Sequence, residues 1–277
     1  MHHRSGAAAA AVAILLLAGC SAPTSGAGGG DTTQRVVLPP AGGVIDYQLS
    51  EGYDPAPRVA GVARDSGDAP APGLYSICYI NGFQSQPADR QTWLVEHPDL
   101  VLLDDGQPVI DPNWPDELIL DTSDAGKRDR ISAIIADDFA DCGEKGFDAV
   151  EIDNLDSYAR SGGRLDRDGA IALASLYAAT AHASGLAIAQ KNSAELGERG
   201  RDEAGFDFAV VEECRRFDEC ALYTSVYGDL VFDIEYTDDL RGTFAEVCAD
   251  PQVPASTILR DRDLTTPSNP DFVFEAC

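Results

Sequence analysis

The sequence predicts an α/β chain whose residues 36–277 fold as one (β/α)8 TIM barrel. Three observations point there: eight short apolar runs rich in β-branched residues, helical periodicity between the central runs, and polar or acidic residues closing most runs. A doubly wound open sheet is the alternative for the same alternation. No G-x-G-x-x-G follows any run, nor does G-x-x-x-x-G-K with Ser or Thr after it, so a nucleotide cofactor has no support.

In chain order the predicted strands are Val44–Leu49, Tyr75–Ile80, Leu118–Leu120, Ala149–Ile152, Leu186–Gln190, Phe208–Val211, Leu230–Ile234 and Thr257–Leu259. Between the third and fourth, Asp129–Lys145 places Ile131, Ile134, Ile135 and Phe139 at helical spacing. Between the fourth and fifth, Asp168–Ser184 does the same with Ile171, Leu173, Leu176 and Tyr177. The segment Tyr53–Gly73 is rich in Pro, Gly and Asp, so a regular helix is not expected there. No repeat of solenoid period occurs.

Residues 1–19 have the basic start and short apolar run of a secretory signal, too short to span a bilayer. The run ends in Leu17-Ala18-Gly19-Cys20, which resembles the lipobox of bacterial lipoproteins and makes Cys20 the expected site of lipidation. Residues 20–35 are mostly Ser, Ala, Gly, Thr and Pro, the composition of a flexible tether. Six cysteines remain, an even number suited to an oxidising compartment. Six allow 15 pairings. The favoured set joins Cys214 to Cys220 in a local loop, Cys248 to Cys277 at the C-terminus, and Cys78 to Cys142. No metal site is expected, because no C-x-x-C spacing exists and only His97 and His182 lie outside the signal.

Twenty Lys plus Arg stand against 47 Asp plus Glu, a formal net charge of −27. A phosphate-tracking surface needs clustered cations, so nucleic acid is excluded as the main partner, and the membrane enters only through the lipid anchor. So acidic a chain is expected to be a monomer with a neutral or cationic partner.

Carboxylates gather where a barrel keeps its active site, at the C-terminal strand ends. The fourth strand closes with Glu151-Ile152-Asp153-Asn154, the fifth with Gln190-Lys191-Asn192, the sixth with Glu212-Glu213, and the seventh with Asp233-Ile234-Glu235-Tyr236. Period-two alternation puts Glu151 with Asp153, and Asp233 with Glu235, on shared faces. Converging carboxylates repel, which leaves one acid protonated beside an ionised partner, the arrangement glycoside hydrolysis uses.

These residues resemble a known family. Asp46-Tyr47-Gln48-Leu49, Ile77-Cys78-Tyr79-Ile80, the run Gly146 to Asn154, Lys191-Asn192, the run Phe206 to Cys214, and Glu235-Tyr236 look like the endo-α-1,4-polygalactosaminidase family of glycoside hydrolases. The similarity extends from about Asp46 to Tyr236. It implies a TIM barrel, hydrolysis of α-1,4-linked galactosamine in a secreted polysaccharide, no cofactor, and Asp153 and Glu212 as the catalytic pair. Asp46, Gln48, Tyr79, Glu151, Asn154, Asp156, Lys191, Asn192, Glu235 and Tyr236 are the expected substrate-binding residues. The sequence departs from the family at Ile152, where the family has Pro, at Val211 for Asn and Glu213 for Gln, and in the Asn81-Gly82-Phe83-Gln84 loop. Two other readings keep the same residues: a surface lipoprotein that binds glycan without cutting it, and a hydrolase of another galactose-type glycan.

Overall fold

The computed structural model describes residues 35–277. The signal segment, Cys20 and the tether up to residue 34 lie outside the described residues. Strands β1 (Ile45–Gln48), β2 (Gly61–Asp65) and β3 (Tyr75–Asn81) come first. Helix α1 (Arg90–Glu96) and a two-residue hairpin, β4 (Leu103–Asp104) with β5 (Gln107–Pro108), follow. Then come α2 (Ala125–Lys145), β6 (Ala149–Asp153), α3 (Ser157–Arg160), α4 (Arg167–Ala183), β7 (Ala187–Lys191), β8 (Phe208–Glu212) and α5 (Cys220–Tyr227). The chain ends through β9 (Val231–Tyr236), α6 (Phe244–Ala249), β10 (Ile258–Arg260) and β11 (Phe274–Ala276).

Eight strands, β1, β2, β3, β6, β7, β8, β9 and β10, pair in that order, each parallel to the next. Together they form a nearly closed barrel sheet. The seam lies between β1 and β10, and a buried side chain bridges it. The Arg260 guanidinium donates to the Tyr47 carbonyl and lies 3.3 Å from Asp46 Oδ1. On its other edge β10 carries β11, antiparallel.

One of the expected strands is corrected here. Leu118–Leu120 is not a barrel strand; it forms isolated bridges with Gln84, Val101 and Ile110 in the long segment between β3 and α2. The barrel position belongs instead to Gly61–Asp65, inside the stretch where only irregular chain was expected. This strand is held by parallel neighbours on both sides.

Alternation along the strands divides the core in two. Ile45, Tyr47, Ile77, Ala149, Ala189, Phe208, Val210, Phe232 and Ile234 fill the barrel, whereas Cys78, Ile80, Val150, Ile152, Ile188 and Val211 face the helices. Capping sets the helix limits. Helix α2 starts at Ala125 because the Asp124 side chain accepts from Gly126 N and Lys127 N, and it ends where Gly146 turns left-handed. Asp166 caps α4 through Gly169 N. Three disulfides, Cys78–Cys142, Cys214–Cys220 and Cys248–Cys277, tie β3 to α2, the loop after β8 to α5, and α6 to the C-terminus. Among the described residues no helix is long and apolar enough to cross a membrane.

Candidate active site

At the C-terminal end of the barrel the inward-facing residues change from apolar to polar: Tyr47, Tyr79, Glu151, Asp153, Lys191, Glu212 and Tyr236 continue the faces that Ile45, Ile77, Ala149, Ala189, Val210 and Ile234 occupy below. The centre of this cluster is Lys191, only 3% exposed. Its Nζ lies 3.2 Å from Glu151 Oε1, 3.4 Å from Asp153 Oδ2 and 3.4 Å from Glu212 Oε2. It also donates to Tyr47 Oη at 3.1 Å and sits over the Tyr79 ring at 5.4 Å. Burial works to discharge the lysine, but Asp153, Glu212 and Glu151 outweigh it and hold its pKa well above the ordinary value.

Each carboxylate has its own partners. Tyr79 Oη donates to Asp153 Oδ2 at 2.7 Å, so the tyrosine and the lysine both meet one oxygen while Oδ1 accepts nothing among the described residues. Tyr236 Oη donates to Glu212 Oε1 at 2.5 Å, and Asn192 Nδ2 to Glu212 Oε2 at 3.3 Å; in return Glu212 N donates to Asn192 Oδ1 at 2.8 Å. Arg262 stacks 4.1 Å from the Tyr236 ring centre and pairs with Glu213 and Asp238. Glu151 is fully buried. It accepts from Tyr47 Oη at 2.7 Å, and its Oε2 has no partner among the described residues. Burial pushes this carboxyl up to about 7, although Lys191 and Tyr47 pull the other way.

The backbone turns sharply after each of these strands. The residues that follow Asp153, Lys191 and Glu212, namely Asn154, Asn192 and Glu213, all have positive φ, at 43°, 46° and 59°. Non-glycine residues seldom adopt this conformation, and such strain concentrates at functional sites. It redirects the chain so that Asn192 reaches back to Glu212.

The structure thus brings Asp153, Glu212, Tyr79, Glu151, Lys191, Asn192 and Tyr236 together. Asn154 lies beside them, its Nδ2 donating to Asn81 Oδ1 and Glu117 Oε2, both at 3.2 Å. Asp156 pairs with Arg160 and lines a cleft of about 360 Å³ that opens beside Glu212. Five carboxylates, Asp156, Glu195, Glu212, Glu213 and Glu219, line this cleft with no Lys, Arg or His among the lining residues.

Asp46, Gln48 and Glu235 are not brought into the cluster. They occupy the opposite phase of their strands and point out of the barrel. Asp46 accepts from Gln48 at 2.8 Å and Tyr53 at 2.9 Å beside Arg260, and Gln48 accepts from Arg64 at 3.0 Å. Asp233 and Glu235 accept from the backbone of Cys214 and Arg215 in the loop after β8. Tyr47 escaped the sequence reading although it lies between Asp46 and Gln48, and the signal available was alternation itself, since Ile45 and Tyr47 form the bulky apolar phase of β1.

The model of glycoside-hydrolase family GH114 matches residues 29–277. The crystal structure of Aspergillus fumigatus Ega3 in complex with galactosamine is similar at 23% identity and a TM-score of 0.67, covering 90% of this chain and 100% of that one. The glycoside hydrolase domain of PelA from Pseudomonas aeruginosa is similar at 14% identity and a TM-score of 0.56, covering 83% and 97%. No curated protein matches.

Proposed function

The chain belongs to glycoside-hydrolase family GH114, and on that premise we propose that it cleaves α-1,4-linked galactosamine-containing polysaccharide with Asp153 as nucleophile and Glu212 as general acid/base. The observation that carries this reading is the shared lysine. Asp153 Oδ2 and Glu212 Oε2 each lie 3.4 Å from Lys191 Nζ, so they can be no more than twice that far apart. That ceiling, set on the two oxygens that face the lysine, is compatible with the spacing of about 5–5.5 Å used by retaining enzymes.

In the first step the free Oδ1 of Asp153 attacks the anomeric carbon while Glu212 gives a proton to the departing glycosidic oxygen. A covalent glycosyl-aspartate forms and the leaving sugar departs as an alcohol. In the second, Glu212 takes a proton from water as the water oxygen displaces Asp153, restoring both carboxyls. Tyr79 and Lys191 hold Asp153 through its other oxygen, and Tyr236 and Asn192 fix Glu212, so the pair needs little reorganisation during reaction.

The choice of sugar is supported by charge. A cleft lined by five carboxylates favours a protonated amine over a neutral hydroxyl, and Ega3, whose fold the chain shares, was solved with galactosamine. Three disulfides suit an extracytoplasmic protein, anchored in this proposal through a lipid on Cys20. NMR of the first product formed from galactosamine oligomers tests the mechanism. The α-anomer is expected initially; initial appearance of the β-anomer would remove Asp153 as nucleophile.

A further inference from the structure

The long segment between β3 and α2 does more than cover the barrel. Leu118 N donates to Ser85 Oγ at 3.0 Å and Leu118 O accepts from Ser85 N at 2.9 Å, which pins Leu118 to the turn that follows β3. The preceding residue, Glu117, is thereby fixed at the barrel mouth, 9% exposed. Its Oε2 accepts from Asn81 Nδ2 at 2.8 Å and from Asn154 Nδ2 at 3.2 Å. Asn81 is the β3 residue in register with Asp153, and Asn154 follows Asp153 in sequence, so Glu117 is held by the two residues that flank the proposed nucleophile. Its Oε1 accepts nothing among the described residues.

Among the described residues Glu117 makes no ion pair. The Arg160 charge acts on it, but that guanidinium is engaged with Asp111, Asp156 and the Asn154 carbonyl oxygen Oδ1. The charges that face Glu117 are otherwise negative. Burial pushes its carboxyl up to about 7; the hydrogen bond from Asn81 and, more weakly, the Arg160 charge pull it down, and Asp153 and Asp111 add to the rise. A largely buried carboxyl, hydrogen-bonded on one oxygen and without an ion pair of its own, is completed by a cation arriving with the ligand.

We propose that Glu117 is a specificity residue for the free amine, its unpartnered Oε1 accepting from the ammonium of the sugar bound on the Asp153 side. This rests on the reading of the site as a galactosaminidase. It gives the substrate a second amine contact, from a different segment than the cleft beside Glu212, and it disfavours an N-acetylated sugar there. An acetamide offers one neutral N–H where an ammonium offers three charged donors.

The test uses the full chain and its Glu117→Gln and Glu117→Asp variants, with KM and kcat measured on galactosamine oligomers and on N-acetylated ones. Glutamine keeps an acceptor for Asn81 and Asn154 but removes the charge. The expected result is a KM for free-amine oligomers raised about tenfold, a fall of the same size in preference for the free amine, and partial recovery with aspartate. Equal losses on both substrates, an effect confined to kcat, or no change in either variant would overturn the proposal. If the parent itself cleaves and binds no galactosamine oligomer, the reading of the site has failed and this inference falls with it, an outcome visible before any Glu117 variant is assayed.

Discussion

Lys191 Nζ lies 3.2 Å from Glu151 Oε1 with both side chains buried, at 3% and 0% exposure. Glu151 lies below Asp153 and Glu212 and makes no contact with the cleft described beside Glu212. Its role follows from that position: with Tyr47 it holds the ammonium where Asp153 and Glu212 can share it.

Removing the ammonium should therefore damage stability and activity together. In Lys191→Met three carboxyls face one another without a cation, and breaking a buried pair in this way costs about 3–5 kcal/mol. Urea unfolding should show that loss, and turnover should fall about a hundredfold or more. Adding Glu151→Gln should recover part of the stability and none of the activity. Unchanged unfolding in the single variant would contradict the role given to Lys191.

Glu151 also gives a pH signature. Its folded-state pKa of about 7 is above the ordinary 4.5, so the native protein holds this proton where the unfolded chain has released it. The contribution to stability is full below about pH 4.5 and is lost as pH rises to about 7, roughly 3 kcal/mol in all. Stability measured by urea at pH 5 and pH 8 should fall less with rising pH in Glu151→Gln than in the parent. Equal slopes would show that Glu151 is ionised across the range.

The barrel seam makes a separate prediction. Arg260, 0% exposed, joins β10 to β1 through Asp46 and the Tyr47 carbonyl, and also donates to the carbonyls of Val273 and Thr265. Arg260→Met leaves Asp46 buried without its cation, and the expected loss is about 3–5 kcal/mol. Arg260→Lys should rescue little, since one ammonium cannot span the same acceptors. Denaturant unfolding of the two variants decides this.

Seven of the eight barrel strands are legible in the sequence because each is an apolar run closed by a polar residue. The exception is informative. Gly61–Asp65 has a single β-branched residue, and it is a strand because β1 and β3 supply partners on both sides. Leu118–Leu120 is more apolar and still remains outside the sheet. Local composition does not report which run has a place between two strands. That exchange also conceals Glu117, which in the sequence only precedes an apolar run and gains meaning once the segment is placed at the mouth.

The candidate site is legible for a different reason. Asp153, Lys191 and Glu212 each end a strand on its inward phase, whereas Asp46, Gln48 and Glu235 lie one residue out of phase. Both faces of a barrel strand are covered, so alternation tells which residues share a face and not which face is inward. The bulky apolar residues Phe232 and Ile234 settle that for β9, placing Tyr236 in the site and Glu235 against the loop after β8.

The claim that Asp153 and Glu212 together cut a galactosamine polymer is tested most directly by product release from α-1,4-galactosamine oligomers, using the chain from Asp31 onward beside Asp153→Asn and Glu212→Gln. Cleavage by the parent is expected, with a fall of about a thousandfold or more in each variant and both variants still folded. A parent that binds the oligomers and cuts none, or a variant that retains most of the parent's rate, would contradict it.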